Sequence, residues 1–149
     1  EVTSTFYWEN SDPTIVLCAG TDVSLGLVKG LGYVIDSNIL GESSAYDDWD
    51  SLNPEGFVYG DSETYSADYL SGESKAFLSE SAMESAREDR SQIFYNAIKA
   101  DNADAFASGV MQDKLLQLCK GIRSAWSLKK KTDTFPWEQY LSESIAYEG

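Results

Sequence analysis

The segment LGLVKGLGYVID, from Leu25 to Asp36, decides how this chain is interpreted. It follows a short apolar run, TIVLCA from Thr14 to Ala19, which is typical of a buried strand. Thr21 or Asp22 then offers a side chain that can cap a helix. Inside the segment, apolar positions recur at helical spacing: Leu25, Val28, Leu31 or Gly32, and Ile35. We therefore predict a strand that leads into a helix with one apolar face.

Three glycines make this predicted helix unusual: Gly26, Gly30 and Gly32. Each glycine in a helix interior costs about 1 kcal/mol relative to alanine. Helix propensity alone would therefore not keep this segment helical. Neighbouring elements have to stabilise it by packing, and the glycines permit those neighbours to approach closely.

The composition indicates one packed domain over residues 1–149, because 42% of the residues are apolar and 13% are aromatic. The 11 basic and 25 acidic residues give a net charge of −14. Such a surface repels phosphate backbones, so nucleic acid is not an expected partner. No apolar run approaches the roughly 20 residues of a transmembrane helix, and we expect no membrane insertion.

The chain contains no histidine. This absence excludes serine–histidine and cysteine–histidine nucleophile pairs, histidine general bases and imidazole metal ligands. The two cysteines, Cys18 and Cys119, cannot build a zinc cage by themselves, and their apolar surroundings favour buried thiols over a disulfide. We expect no cofactor.

The remaining sequence predicts an edge strand, a loop, two helices and an aromatic tail. The aromatic residues 6–8 indicate the edge strand, and residues 41–72, which we call the acidic excursion, are polar and read as a solvated loop. Ser85 to Glu88 matches a capping box at the start of one helix. The tail, residues 135–141, is expected to pack on the core. The strongest helical pattern has apolar residues at Met111, Leu115, Leu118, Ile122 and Trp126.

Five segments, in this order and at this spacing, resemble a known family: KGLGYVID, AYDDWDSLNPEGF, REDRSQIF, MQDKLLQLCKGIR and FPWEQYL. The similarity extends over residues 14–141. The chain resembles secreted bacterial zinc metallopeptidases with a zincin-like fold of the gluzincin type. The resemblance implies one domain with a mainly helical α+β fold: a small N-terminal sheet, a central former active-site helix and C-terminal helices. It also implies a secreted or cell-surface protein.

The resemblance assigns four positions to the family's site. In an H-E-x-x-H helix two zinc-binding histidines lie one turn apart, with the general base beside the first. Lys29 and Tyr33 stand at the two histidine positions, Gly30 at the position of the general base, and Glu88 at that of a third, glutamate ligand. A protonated ammonium group cannot bind zinc, and a phenol is a poor ligand at neutral pH. We therefore expect neither the zinc site nor the peptidase activity.

A replacement for the metal is predicted at the same place. Lys29 and Tyr33 lie on one helical face, and the family geometry would bring Glu88 close to both. The Lys29 ammonium would then stand where zinc lay and pair with Glu88, with the Tyr33 hydroxyl as a second partner. An alternative role for Glu88 is the capping box with Ser85, and both roles are compatible.

The sequence thus favours a catalytically inactive pseudopeptidase domain that binds a protein or peptide. Residues of the acidic excursion are expected along the remaining cleft: Tyr46, Asp47, Asp48, Trp49 and Asp50. Two alternatives stay open. One is a hydrolase that uses carboxylates alone, and the other is a purely structural domain of a larger secreted protein.

Overall fold

The computed structural model describes residues 4–9, 12–20, 22–38, 40, 48–126, 128 and 133–145. These residues begin with a β-hairpin, β1 (Ser4–Glu9) and β2 (Asp12–Leu17), which leads into helix α1 (Val23–Asn38). Helices α2 (Ala86–Ile98) and α3 (Gly109–Ala125) follow after a region of short 3-10 turns. The prediction of a mainly helical α+β fold with a small N-terminal sheet is confirmed.

The hairpin is antiparallel, with Phe6 opposite Ile15, so the predicted edge strand lies within β1. The prediction that the second strand is buried is wrong, because Ile15 is half-buried and Val16 is exposed. Successive strand residues point to opposite faces. Ile15 faces Gly30 of α1, and Val16 therefore points away from that helix.

Helix α1 begins as predicted and depends on its glycines for packing. The Oδ1 atom of Asp22 accepts a hydrogen bond from the Leu25 N–H at 3.0 Å and caps the helix. Of the two candidates for the apolar face, Gly32 is buried and Leu31 is exposed. A Cβ atom at Gly32 would lie 3.0 Å from the Cα of Ser91 in α2. The predicted close approach of a neighbour is therefore confirmed at this glycine.

The described part of the acidic excursion, residues 48–72, is not the solvated loop that the sequence predicts. Trp49 is buried in the main core, and a second cluster of aromatic side chains forms around Phe57. The ring of Phe57 lies 4.5 Å from that of Phe77 and stacks on Tyr65 at 5.8 Å, centroid to centroid. The prediction failed because aromatic residues spaced irregularly along 3-10 turns have no helical or strand period.

Helices α2 and α3 are capped by serines, since Ser85 accepts from the N–H of Glu88 and Ser108 from that of Met111. The predicted apolar face of α3 is buried from Met111 to Ile122, but Trp126 is exposed just beyond the helix end. Among the residues after α3, the tail packs on the core as predicted. Arg123 and Glu138 hold it there through a buried ion pair of 2.5 Å.

Neither cysteine forms a disulfide, as the sequence predicts. Cys119 is buried, and its thiol donates a hydrogen bond to the carbonyl of Trp137 at 3.4 Å. Burial raises the pKa of this thiol above its ordinary value. Cys18 is half-buried rather than buried. Cys119 is therefore part of the core rather than a reactive thiol.

Candidate functional site

The candidate site lies where the middle of α1 meets the first turn of α2. Lys29 and Tyr33 are one turn apart on α1, and both reach the carboxylate of Glu88, more than fifty residues away in the chain. The Lys29 ammonium lies 3.1 Å from Oε1 of Glu88, and the Tyr33 hydroxyl donates to Oε2. The structure thus brings together three of the four residues that the sequence assigned to this site.

A third donor, Gln92, also contacts this carboxylate. The Gln92 amide donates to Oε1 of Glu88 at 2.8 Å and to the Ser81 hydroxyl at the same distance. The Ser79 hydroxyl in turn donates to the Gln92 carbonyl oxygen at 2.8 Å. Sequence reasoning missed Gln92, although its position one turn after Glu88 on a predicted helix was a usable signal.

The side chains of Lys29 and Glu88 are 24% and 16% exposed, so the pair is partly screened from water. Burial alone would raise the pKa of Glu88, but hydrogen bonds from Tyr33 and Gln92 and the charge of Lys29 outweigh it and lower the pKa. Burial, reinforced by the hydrogen bond to Glu88, raises the pKa of Tyr33. At neutral pH Glu88 is therefore a carboxylate and Tyr33 a neutral phenol.

The capping box forms only in part. The Ser85 hydroxyl accepts from the N–H of Glu88 at 3.2 Å, as expected. The Glu88 carboxylate, which would complete the box at the N-terminus of α2, is used instead by Lys29, Tyr33 and Gln92. Tertiary partners on α1 therefore take precedence over the local cap.

These residues do not fit a zinc ion. Zinc requires several imidazole, thiolate or carboxylate ligands, and of Lys29, Tyr33 and Glu88 only Glu88 can supply one. In the described part of the chain, no three His, Cys, Asp or Glu side chains are grouped closely enough to hold a metal. Gly30 offers no general base, and a Cβ atom at this position would lie 2.6 Å from Cγ2 of Ile15.

Of the residues of the acidic excursion that are expected along a cleft, the structure describes Asp48, Trp49 and Asp50. Tyr46 and Asp47 lie outside the described residues. Asp48 and Asp50 are exposed. Trp49 is buried, and its indole N–H donates to Oδ2 of Asp89 at 3.3 Å. The prediction that Trp49 lines a cleft is wrong, because its ring packs inside the core.

A buried polar network around Asp89 was missed by the sequence analysis. Lys114 lies 2.7 Å from Oδ2 of Asp89, and both side chains are fully buried. The Tyr59 hydroxyl donates to the same oxygen at 2.7 Å, and the Lys114 ammonium lies 3.8 Å from the centroid of the Phe77 ring. Asp89 and Lys114 each fall at helical spacing on an apolar face, and this pattern could have revealed the pair.

The carboxylates of Glu88 and Asp89 face opposite environments although the residues are adjacent. Glu88 meets Lys29 at the partly exposed boundary with α1, and Asp89 meets Lys114 in the core. Burial raises the pKa of Asp89, although the charge of Lys114 opposes that shift. The two carboxylates therefore do not form an acid–base pair that faces one substrate.

Comparison with known proteins gives no family assignment. No protein-family model matches the chain, and neither a curated protein nor a solved structure shows significant similarity to it. In the described residues, none of the helices has both the length and the apolar character needed to cross a membrane.

We expect Glu88→Gln to destabilise the fold at neutral pH and to matter less in acid. Because the folded-state pKa of Glu88 is lowered, its ionised form stabilises the fold above the ordinary glutamate pKa of about 4.3. That contribution is lost as the pH falls through the lowered folded-state pKa. Urea unfolding of both proteins at about pH 7 and about pH 3 measures the difference.

The exposed Glu84, substituted as Glu84→Gln, provides the matched control. An equal loss of stability for Glu88→Gln at both pH values would contradict the assignment of the ionised carboxylate as the stabilising form.

Proposed function

We propose that this chain is a catalytically inactive, zincin-like module that binds a protein or peptide and does not cleave it. The observation that carries the proposal is the convergence of Lys29 and Tyr33 on Glu88. The sequence resemblance selects these positions as the three metal ligands of a zinc peptidase. In such an enzyme they must lie within reach of one ion, and here Lys29 and Tyr33 both lie within hydrogen-bonding distance of Glu88.

The charges explain why a lysine is favoured at the first position. A partly buried carboxylate without a nearby cation is costly, because desolvation penalises its charge. The Lys29 ammonium supplies the positive charge that a zinc ion would otherwise bring. The carboxylate of Glu88 thus keeps its partners without metal, and the contact between α1 and α2 is maintained.

The surroundings of Gly30 support inactivity separately from the ligands. A zinc peptidase needs a carboxylate beside the metal to activate water. Ile15 occupies the space into which a side chain at position 30 would begin to extend. The general base is therefore absent, and the space that its side chain would need is filled by Ile15 of β2.

The opposed orientations of Glu88 and Asp89 give no support to a hydrolase based on carboxylates alone. Glycoside hydrolysis, for example, requires two carboxyl groups on either side of one bond. Both of these carboxylates are engaged by lysines in separate places. A binding role, placed in a secreted or cell-surface protein by the resemblance, remains the function that we propose.

The test combines a zinc titration by calorimetry on metal-stripped protein with incubation of labelled casein in the presence and absence of zinc. We expect neither stoichiometric zinc binding nor cleavage. Casein cleavage that disappears in Glu88→Gln would contradict the proposal.

A peptide array tests the binding role itself. We expect peptides that bind the wild-type protein to lose binding in Tyr33→Ala and to keep it in Tyr95→Ala, a half-buried tyrosine on α2. If no peptide binds, the alternative of a purely structural domain is favoured instead.

A further inference from the structure

The side of α1 that faces solvent is apolar. Val23, Leu27 and Leu31 follow one another at intervals of four residues, and their exposed fractions are 51%, 44% and 43%. We call these three residues the α1 stripe. They cover roughly 12 Å along the helix axis, because each residue of an α-helix rises 1.5 Å. A surface helix normally carries charged or polar side chains on this face.

The stripe also lacks charge, although the chain is strongly acidic. The only charged residues of α1 are Lys29 and Asp36. Lys29 pairs with Glu88, and Asp36 pairs with Arg90 at 2.5 Å, so both charges are directed toward α2. The solvent side of α1 therefore combines exposed leucines with the absence of any charge that would keep it solvated.

Other exposed apolar residues of the described chain do not form such a row. Val16 lies on β2, Val58 lies within the acidic excursion, and Trp126 follows the end of α3. Single exposed apolar residues are common on protein surfaces and need no explanation. A regular row of them on one helix is typical of a surface that another molecule covers.

We infer that the α1 stripe is a docking surface for an amphipathic helix of a basic protein partner. A helix with apolar residues at spacings of three and four can lay them against Val23, Leu27 and Leu31. A second copy of this chain is a poor occupant, because each copy carries a net charge of −14. The exposed Asp22 at the start of the stripe and the acidic surface as a whole favour lysine and arginine on the partner.

This surface is separate from the binding role proposed above, because it lies on the side of α1 opposite the contact of Lys29 and Tyr33 with Glu88. The inference therefore goes beyond that role and does not rest on the zincin-like ancestry. Failure of the zinc and casein experiments would leave the stripe unaffected. Failure of the docking experiment would leave the interpretation of Lys29, Tyr33 and Glu88 unaffected.

The experiment uses two labelled synthetic helical peptides of about five turns, with leucines at helical spacing. One carries lysines on its other positions and the second carries glutamates. Fluorescence anisotropy measures their binding to the wild-type protein, to Leu27→Ser/Leu31→Ser and to Val58→Ser. We expect the lysine peptide to bind the wild type and Val58→Ser alike, and to bind the double variant at least about tenfold more weakly.

The serine substitutions leave the charge unchanged, so they separate apolar docking from electrostatic attraction. Amide shifts in the wild-type NMR spectrum provide a readout without any variant, and we expect them along α1. Equal binding of the lysine peptide to the double variant would overturn the inference, as would binding of neither peptide. A wild-type dimer that Leu27→Ser/Leu31→Ser dissociates would also overturn it, since the occupant would then be a second copy.

Discussion

Replacement of Lys114 with methionine is expected to lower the free energy of unfolding by about 3–5 kcal/mol. The ammonium of Lys114 lies 2.7 Å from Asp89 Oδ2, and neither side chain has any exposed area. Without this cation, a buried carboxylate keeps the hydrogen bonds from Trp49 and Tyr59. Among the described residues, none donates a hydrogen bond to its other oxygen, Oδ1. Urea unfolding followed by circular dichroism at neutral pH measures the loss.

Two further variants separate the ion pair from the size of the side chain. Lys120→Met removes an exposed lysine from the same helix and should change stability by no more than about 0.5 kcal/mol. Lys114→Met/Asp89→Leu removes both charges and should recover most of the loss, because the pair is costly chiefly when one member remains alone. If the double variant were as unstable as Lys114→Met, packing and not the unpaired charge would be the cause.

The second large effect is the creation of a zinc site by Lys29→His/Tyr33→His. The two histidines would lie one turn apart on α1, with the Glu88 carboxylate facing them from α2, which is a common three-ligand arrangement for zinc. We expect stoichiometric zinc binding by calorimetry, with affinity in the micromolar range or tighter. Zinc at about 100 times its dissociation constant should then stabilise the variant by about 2.7 kcal/mol.

The control adds Glu88→Gln to the double variant, which removes the third ligand and should weaken zinc binding about tenfold or more. If the zinc affinity did not depend on Glu88, the assignment of Glu88 to the position of the third zinc ligand would be contradicted. We expect no peptidase activity from the double variant, since Gly30 supplies no general base. A glutamate introduced by Gly30→Glu would need the additional substitution Ile15→Ala to make room for it, because the new Cβ atom would lie 2.6 Å from Ile15 Cγ2.

Helices were predicted well because their signals are local. Apolar residues at intervals of three and four identified the buried face of α3 from Met111 to Ile122, and single polar residues marked the starts of α1 and α2. The face of α1 was ambiguous between Leu31 and Gly32. Hydrophobicity favours the leucine, but the close approach of Ser91 in α2 requires the glycine. Only the position of the neighbouring helix could decide between them.

Within the candidate site, only the residues that fall on motifs of the resembled family could be predicted. Lys29, Tyr33 and Glu88 were selected by resemblance, and the resemblance also predicted their proximity. Gln92 was not predicted as a site residue, and Trp49 was wrongly predicted to line a cleft. Gln92 is polar on a mostly buried helix face, and Trp49 lies in a polar segment although its ring is in the core.

The sequence by itself determined the presence of two strands followed by helices, the starts of α1 and α2, and the absence of histidine chemistry. These follow from residue types and from spacings within one or two turns, which do not depend on distant parts of the chain. Tertiary structure alone decided that aromatic side chains between residues 57 and 77 cluster around Phe57 and that Asp89 meets Lys114. Burial and ion pairing depend on contacts between residues tens of positions apart, and no local period encodes which residues will meet.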